Sequence, residues 1–335
     1  MKAAIYYGVK DIRIEEAPDP VCGPSDVVVR SVRTGICGSD IKGYFINGML
    51  SGNFPGREIG HEMAGRVVEV GADVQGIRAG DRVFVNPIHT CIPGESDMMG
   101  GFSEYVKVPN AKIDFNIYLL PDDISYDEGA LIEPCAVGTR GKNRPGAKPG
   151  DHVVIYGAGA IGIACATALV AQGIQPVVVV RHNGRREILE RVGAAVCNVA
   201  EVDLFEFLKS HFGMSVHRMG YPAVDVDIVV DCAGGANVID DFCKMGKRGS
   251  RLSLVGVPNE PIPVSTGRIL SSEACIMGSC AYEHEDIREV IDILESKKSL
   301  LPELITHHFK PEEIDKAFET ANDHQNALKV IVDME

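Results

Sequence analysis

The sequence lacks the features of exported, membrane-spanning and nucleic-acid-binding proteins. Its ten cysteines form no CxxC pair, so neither a disulfide framework nor a zinc ribbon is indicated. The longest apolar stretch, 161–171, is too short to span a bilayer, and residues 1–20 contain no apolar core of signal-peptide length. Basic residues are scarce: 33 Lys and Arg against 47 Asp and Glu give a formal charge of −14, which repels phosphate backbones. We therefore expect a cytoplasmic protein with no membrane or nucleic-acid partner.

Two different patterns divide the 335 residues. The N-terminal part has clusters of β-branched residues at 26–33 and 65–70, punctuated by Gly and Pro, which favours a small barrel or sandwich. Beyond Pro149, short apolar runs alternate with helical stretches, which is typical of a doubly wound parallel sheet. These runs are 152–156, 176–180, 226–231, 251–255 and 274–278.

The C-terminal segment from Glu283 predicts two amphipathic helices and a last strand. Apolar residues at helical spacing lie within 287–294, and a second helix is indicated over 311–318, where Pro311 occupies the first turn. The strand is expected over 327–332.

A glycine-rich loop indicates that a dinucleotide binds. An apolar strand at 153–156 runs into a GxGxxG motif that opens a helix. In such loops the first Gly permits the tight turn, the second lets the backbone approach the pyrophosphate, and the third lets helix and strand pack closely. The predicted cofactor-binding residues are Gly157, Ala158, Gly159, Ala160, Ile161 and Gly162.

The end of the next strand favours NADP over NAD. Sites for NAD usually carry an acid there for the ribose hydroxyls, whereas this chain has Arg181, followed by Arg185 and Arg186. Guanidinium groups suit phosphate geometry, so we expect Arg181 and Arg186 to contact a 2′-phosphate. The alternative is a solvated basic turn on an NAD-dependent protein.

Four residues form a candidate metal site. Cys37 lies in a Gly-flanked turn, His61 and Glu62 are adjacent, and Glu133 lies in an apolar segment just before the second pattern begins. A thiolate, an imidazole and one or two carboxylates can hold a catalytic zinc ion that keeps an open position. Each residue alone would more often be structural, so the order and the surrounding motifs carry the prediction.

These motifs together resemble a known family. The segment 60–74 has the spacing GHE-x2-G-x5-G-x2-V, GICGSD precedes it, and Glu133-Pro134 and GAGAIG follow in order. Essentially the whole chain resembles the zinc-containing medium-chain alcohol dehydrogenases. The sorbitol and polyol dehydrogenase branch is nearest, because Glu133 stands where classical alcohol dehydrogenases place a second Cys.

The resemblance implies an α/β fold, in which a GroES-like β-rich catalytic domain is joined to a Rossmann domain with a doubly wound parallel sheet. The catalytic domain would comprise 1–136 and 281–335, and the Rossmann domain 137–280, with the active site in the cleft between them. Cys37 and His61 would be zinc ligands, and Glu62 a ligand or near-ligand counted with the catalytic residues. Glu133 would coordinate zinc directly or through its water, and Ser39 would be the proton-relay hydroxyl.

Two departures from the family pattern matter. The four-Cys lobe that holds a structural zinc in many members is absent, because Cys91 stands alone in the shortened segment. One catalytic zinc and no structural zinc are therefore expected. Lys42 occupies a position where classical members often have a relay His, and we interpret His89 as a loop residue rather than a ligand.

The resemblance implies a zinc-dependent oxidoreductase that interconverts a secondary alcohol and a ketone by hydride transfer to or from NAD(P), with NADP favoured. The substrate would be a polyol, diol or sugar alcohol, and the enzyme a homo-oligomer, either dimer or tetramer. A threonine-type amino-alcohol dehydrogenase is the alternative enzyme, and a non-catalytic family relative is the alternative outside the enzyme class.

Overall fold

The computed structural model describes residues 1–48, 52–90, 100–258 and 260–335. The chain divides into two compact units: Met1–Pro134 with Pro302–Glu335, called unit 1, and Cys135–Leu301, called unit 2. Among the helices of the described ranges, none is long and apolar enough to cross a membrane.

The secondary structure follows the two predicted patterns. The strands are β1 (Lys2–Gly8), β2 (Asp11–Glu16), β3 (Val27–Gly35), β4 (Arg57–Glu58), β5 (Glu62–Val70), β6 (Arg82–Val85), β7 (Tyr105–Val108), β8 (Ile117–Leu119), β9 (Val153–Tyr156), β10 (Val177–Val180), β11 (Ala195–Asn198), β12 (Met214–Val216), β13 (Pro222–Val224), β14 (Ile228–Asp231), β15 (Arg251–Leu254), β16 (Cys275–Gly278), β17 (Ile305–Phe309) and β18 (Lys329–Asp333). The α-helices are α1 (Gly38–Phe45), α2 (Tyr126–Asn143), α3 (Ala160–Ala171), α4 (Arg186–Val192), α5 (Leu204–Phe212), α6 (Val238–Met245), α7 (Thr266–Ser272), α8 (His284–Glu295) and α9 (Ile314–Ala321).

Unit 1 is built on a seven-stranded sheet in the order β17-β18-β3-β5-β6-β8, with β7 also paired to β3. Strands β1, β2 and β4 form a smaller sheet. The apolar residues of β3 and β5 are buried because alternate side chains of a strand face the core. At the end of β3, Gly35 lies opposite Glu62 of β5 on one side and opposite Ile331 of β18 on the other. The candidate site lies where these three neighbouring strands, β5, β3 and β18, meet at the end of β3.

Unit 2 contains a six-stranded sheet in the order β11-β10-β9-β14-β15-β16, and every pairing in it is parallel. Counted along the sheet, this is the order 3-2-1-4-5-6 of dinucleotide-binding folds. Strands β9, β10 and β14 are fully buried runs rich in Val and Ile, because both faces of the sheet are covered there. The five predicted runs correspond to β9, β10, β14, β15 and β16. Strand β11 and the β12–β13 hairpin were not predicted.

The returning C-terminal segment joins unit 1 later than the sequence suggested. The expected switch at residue 281 differs from the observed one, because residues up to Leu301, including α8, belong to unit 2. Polar contacts explain this: Asn143 at the end of α2 donates to Asp286 at 2.8 Å, and the buried ammonium of Lys142 lies 2.8 Å from Glu289. The amphipathic α8 therefore packs within unit 2 rather than on the β-rich unit 1.

Candidate metal centre and cofactor loop

Strand pairing in unit 1 brings three of the predicted residues together. Cys37 follows β3 and precedes α1, while His61 and Glu62 stand at the start of β5, which pairs with β3. Their potential ligand atoms all lie within 4.8 Å of one another. The pairing of β3 with β5 therefore brings these three side chains close enough together for them to be candidate ligands of one ion.

Glu62 is held by a lysine that the sequence analysis missed. The ammonium of Lys329 donates to both carboxylate oxygens of Glu62, at 2.6 and 2.8 Å, and to the carbonyl oxygen of Ile36 at 3.0 Å. Both charged side chains are buried. Burial alone would lower the pKa of Lys329, but the negative charges of Glu62 and Cys37 outweigh burial, so the pKa is raised and the ammonium stays charged.

Asp40 is a second residue that the analysis quoted only as part of a motif. Its Oδ2 accepts from the backbone N–H of Cys37 at 3.0 Å, and its Oδ1 lies 3.7 Å from Nδ1 of His61. Burial raises the pKa of the Asp40 carboxyl. Burial alone would lower the pKa of His61, but the negative charges of Asp40 and Cys37 raise it well above its ordinary value. The spacing Cys-x2-Asp at the start of a helix was the signal that could have identified this residue.

Glu133 lies in α2 and is buried. Its charge contributes to raising the pKa of both His61 and Lys329, so it belongs to the same electrostatic environment. It is outside the group of three whose ligand atoms approach within 4.8 Å. Ser39 and Lys42 both lie in α1, where each is half-buried.

The residues present fit a zinc ion. Thiolate, imidazole and carboxylate are zinc donors, and Cys37, His61 and Glu62 offer one of each within 4.8 Å of one another. Nδ1 of His61 and Oδ1 of Asp40 face each other, yet both are buried without a hydrogen-bond partner. An imidazole that donates from Nδ1 to a carboxylate presents its Nε2 to a metal, which is the usual support of a histidine ligand.

The glycine loop of unit 2 has the shape that the motif predicts. Gly157 adopts φ +101°, a left-handed conformation that favours glycine. A Cβ on Gly162 would lie 2.0 Å from the carbonyl oxygen of Gly157, so only glycine lets α3 approach the loop this closely. A Cβ on Gly159 would meet nothing within 4 Å. The open space beside Gly159, at the N-terminus of α3, is where a pyrophosphate can reach backbone N–H groups.

Asp231 supports this loop from the neighbouring strand. It is buried at the end of β14, and its Oδ1 accepts from the backbone N–H groups of Ala233 and Gly234, each at 2.9 Å. The methyl group of Ala233 would lie 3.1 Å from a Cβ on Gly157. Asp231 therefore fixes a turn that packs directly against the glycine loop.

The arginines after β10 differ in how they are engaged. Arg186 donates to Asn183 at 3.1 Å and to Glu190 at 3.3 Å, and it lies 3.8 Å from Glu201. Arg181 is exposed. No hydrogen bond or ion pair involves its guanidinium among the described residues.

His89 and a three-residue cluster in unit 2 are potential ligands with structural contacts. His89 is exposed and stacks on Phe115 with ring centroids 4.0 Å apart, while Cys91 lies outside the described residues. In unit 2, His152, Asp225 and Asp227 bring ligand atoms within 4.8 Å of one another. The ammonium of Lys247 forms ion pairs with both aspartates of that cluster. It therefore takes the place that a metal cation would have between these carboxylates.

Comparison with known proteins agrees with this architecture. Residues 23–119 match the family described as Alcohol dehydrogenase GroES-like domain, and residues 160–296 match Zinc-binding dehydrogenase. Sorbitol dehydrogenase of Bacillus subtilis (strain 168) is 30% identical over 99% of this chain and 97% of its own. A (R,R)-butanediol dehydrogenase of Neisseria gonorrhoeae is also 30% identical, over 99% of both chains.

Solved structures give the same relation. An alcohol dehydrogenase from Escherichia coli CFT073 complexed with NADH has a TM-score of 0.84 at 25% identity, covering 99% of each chain. A zinc-binding dehydrogenase from Sinorhizobium meliloti 1021 bound to NADP has a TM-score of 0.80 at 25% identity, covering 99% of this chain and 98% of its own.

These matches define an alcohol-oxidising enzyme that combines a GroES-like domain with a Rossmann-type domain. The chain belongs to the zinc-containing medium-chain alcohol dehydrogenase family, in its polyol dehydrogenase branch. The predicted family, fold class and enzyme class are confirmed, as is the combination of zinc with a nicotinamide cofactor. A non-catalytic role is therefore not favoured.

Proposed function

We propose that this enzyme interconverts the secondary alcohol of a polyol, diol or sugar alcohol and the corresponding ketone, with a nicotinamide cofactor as the hydride partner. The observation that carries the proposal is the cluster of half-buried Cys37, half-buried His61 and buried Glu62, with Glu133 close enough to act on it electrostatically. The names of the two curated relatives support the substrate class, since one is a sorbitol and the other a butanediol dehydrogenase.

Each residue of the site would have a separate role in catalysis. Cys37, His61 and Glu133 would hold the metal, with Glu133 acting directly or through a water molecule, and Asp40 would orient His61. When bound, zinc supplies Lewis-acid polarisation of the alcohol, and the cofactor supplies the hydride chemistry. Ser39, half-buried at the start of α1, would accept the alcohol proton and pass it toward solvent.

The test is turnover of the zinc-loaded enzyme with both cofactors against polyols, diols, inositols, hydrophobic secondary alcohols and an amino alcohol. We expect the highest kcat/KM with a polyol or diol. Preference for the amino alcohol would overturn the substrate class. Full activity in protein shown by elemental analysis to contain no metal would overturn the proposed mechanism.

Glu133→Gln should lower kcat by about 10–100-fold, because a metal ligand or a close neighbour of one loses its charge. The KM for the cofactor should hardly change, since the glycine loop is a separate element. Glu128→Gln is the matched control on the same helix, because the Glu128 carboxylate accepts from the backbone N–H of Ser125 at the helix start and lies outside the group of potential metal ligands. Steady-state kinetics compare the variants, and near wild-type turnover in Glu133→Gln would remove Glu133 from the site.

We also propose that the enzyme prefers NADP and that Arg181 is the main determinant. No carboxylate stands at the end of β10 to repel a 2′-phosphate, and Arg181 lacks a protein partner among the described residues. Arg186 is less available because Glu190 and Glu201 already compete for its guanidinium. These ion pairs are partly exposed, so they would weaken rather than abolish the contribution of Arg186 to binding a 2′-phosphate.

Arg181→Asp should reduce or reverse the cofactor preference. A charge-assisted hydrogen bond is worth about 1.5–3 kcal/mol, which corresponds to roughly tenfold or more in the kcat/KM ratio of NADP to NAD. Arg186→Gln, in which the affected guanidinium is already paired, should change the ratio less. A wild-type preference for NAD, or a ratio in Arg181→Asp equal to that of the wild type, would show that these arginines are only a solvated turn.

The quaternary structure, compartment and partners are part of the proposal. Strand β16 lies at an edge of the parallel sheet, and the side chains of Val257 and Leu270 are 73% and 80% exposed in the same unit. Because open strand edges and exposed apolar side chains favour association, we propose a homo-oligomer. Light scattering should give a multiple of the 36.1 kDa chain mass. We propose a cytoplasmic enzyme without a membrane partner, and its acidic charge disfavours nucleic acid as a partner.

A further inference from the structure

We propose that the β12–β13 hairpin of unit 2 is a self-association surface, on which two copies of this chain pair their β12 strands across a two-fold axis. The hairpin comprises residues 214–224. The inference builds on the proposed homo-oligomer and concerns a surface other than the β16 edge. It depends on neither the metal centre nor the substrate.

The hairpin exposes an unusual concentration of large apolar side chains. Four of them lie within eight residues: Met214, Val216, Met219 and Tyr221. They are 52–70% exposed, whereas Ala223 and Val224 on the returning strand are buried and anchor the hairpin on unit 2. Exposed apolar groups concentrated in this way mark surfaces that contact another protein.

The backbone edge of β12 is open to another strand. The N–H of His217 donates to the carbonyl oxygen of Tyr221, and groups that point toward and away from the partner alternate along an antiparallel strand. The N–H and C=O groups of Met214 and Val216 therefore point away from β13. No hydrogen bond within the described part of the chain involves these groups. An open edge of this kind can pair with the edge of a strand from another chain.

The edge of β13 is closed, so the hairpin can extend its sheet on one side only. Pro222 has no N–H to donate, and the carbonyl oxygen of Val224 accepts from the N–H of Val226 at 2.9 Å. The β12 strand of a second copy supplies a matching open edge. In an antiparallel two-fold pairing centred on Ser215, the residue before it in each chain would face the residue after it in the partner subunit. The two hairpins would then form one four-stranded sheet.

Charge and area both favour a second copy of this chain as the occupant. The chain has a formal charge of −14, so most of its surface repels an identical chain. Within 213–224 the only Asp, Glu, Lys or Arg is Arg218, which pairs with Glu273 at 3.0 Å. The four exposed apolar side chains offer on the order of 500 Å² per chain, which is more than half of the ~800 Å² per partner in a stable interface.

Light scattering and sedimentation velocity of the full-length enzyme test the proposal. Val216→Lys places a charge at the pairing edge twice in each interface. We therefore expect its dissociation constant to rise on the order of 100-fold, and the molar mass in dilute solution to fall by half. Met214→Glu should have the same effect. In Met214→Glu/Val216→Lys each introduced carboxylate would face the introduced ammonium of the partner subunit, so association should be stronger than in either single variant.

The matched control is Val21→Lys, at an apolar residue of unit 1 that is 81% exposed, and it should keep the wild-type mass. The kcat/KM of every variant should stay near that of the wild type, because the hairpin is outside the proposed active site. An unchanged mass in Val216→Lys, or a double variant that associates no better than the single ones, would overturn the pairing.

A cross-link decides the question if the charged variants do not fold. Ser215→Cys treated with oxidised glutathione should form a disulfide-linked dimer that the wild type does not form, because facing Cα atoms would lie about 4.5 Å apart. Two thiols are oxidised in this step and one glutathione disulfide is reduced to two thiols. A failure to cross-link would overturn the pairing. A monomeric wild type would overturn the pairing together with the proposed homo-oligomer, whereas the substrate proposal is judged by turnover alone.

Discussion

Cys37→Ala is expected to lose bound zinc and at least about 10³-fold in kcat/KM. The thiolate is the one soft, charged donor in the cluster of Cys37, His61 and Glu62, so alanine leaves a site with weaker affinity for zinc. Metal polarisation of a substrate oxygen is worth several kcal/mol, and each 1.36 kcal/mol corresponds to a factor of ten in rate. Elemental analysis and steady-state kinetics on the same sample measure both losses.

Cys22→Ala is the matched control. Cys22 lies in the same unit and is also half-buried, but its thiol contacts backbone atoms, including the carbonyl oxygens of Gly23 and Asp26, and it is outside the group of potential metal ligands. This variant should retain one zinc per chain and near wild-type activity. If Cys37→Ala keeps stoichiometric zinc, or if the wild type contains two zinc ions per chain, the assignment of a single catalytic site fails.

The sequence predicted those parts of the site that lie within short motifs. Cys37 lies in GICGSD, His61 and Glu62 lie in the GHE segment, and the glycine loop is GAGAIG. Each motif can be recognised in the sequence because the backbone geometry or the ligand chemistry requires those residue types at neighbouring positions. Lys329 could not be identified in this way. It is 267 residues from Glu62, and the two meet only because β18 and β5 flank β3.

The same reasoning explains the differences in the fold. Strand β11 is a four-residue run, Ala195–Asn198, in which Cys and Asn replace the β-branched residues that marked its neighbours. Helix α8 was recognised by its periodicity, but periodicity shows that a helix has an apolar face and does not show which unit covers it. The contacts of Asn143 and Lys142 with α8 decide that question, and they join residues far apart in sequence.

Alanine at Gly159 and alanine at Gly162 should have opposite consequences, although both change the same motif. A Cβ on Gly162 would lie 2.0 Å from the carbonyl oxygen of Gly157, so α3 must move away from the loop. Overpacking of this kind costs about 1–3 kcal/mol, which lowers the Tm of a unit this size by several degrees, roughly 2–4 °C for each kcal/mol.

Gly159→Ala should fold normally and bind cofactor poorly. Gly159 has φ −77°, which alanine adopts without strain, and its Cβ would meet no protein atom within 4 Å. We expect the Tm to stay within about 2 °C of wild type. The methyl group would instead occupy the space where the pyrophosphate approaches the backbone, and loss of one charge-assisted bond there would raise the cofactor Kd by roughly 10–100-fold. Calorimetry and cofactor titration on both variants measure the two effects. An unchanged cofactor Kd in Gly159→Ala would mean that the phosphates do not lie over this residue, whereas a large loss of Tm would mean that the open space has a structural role.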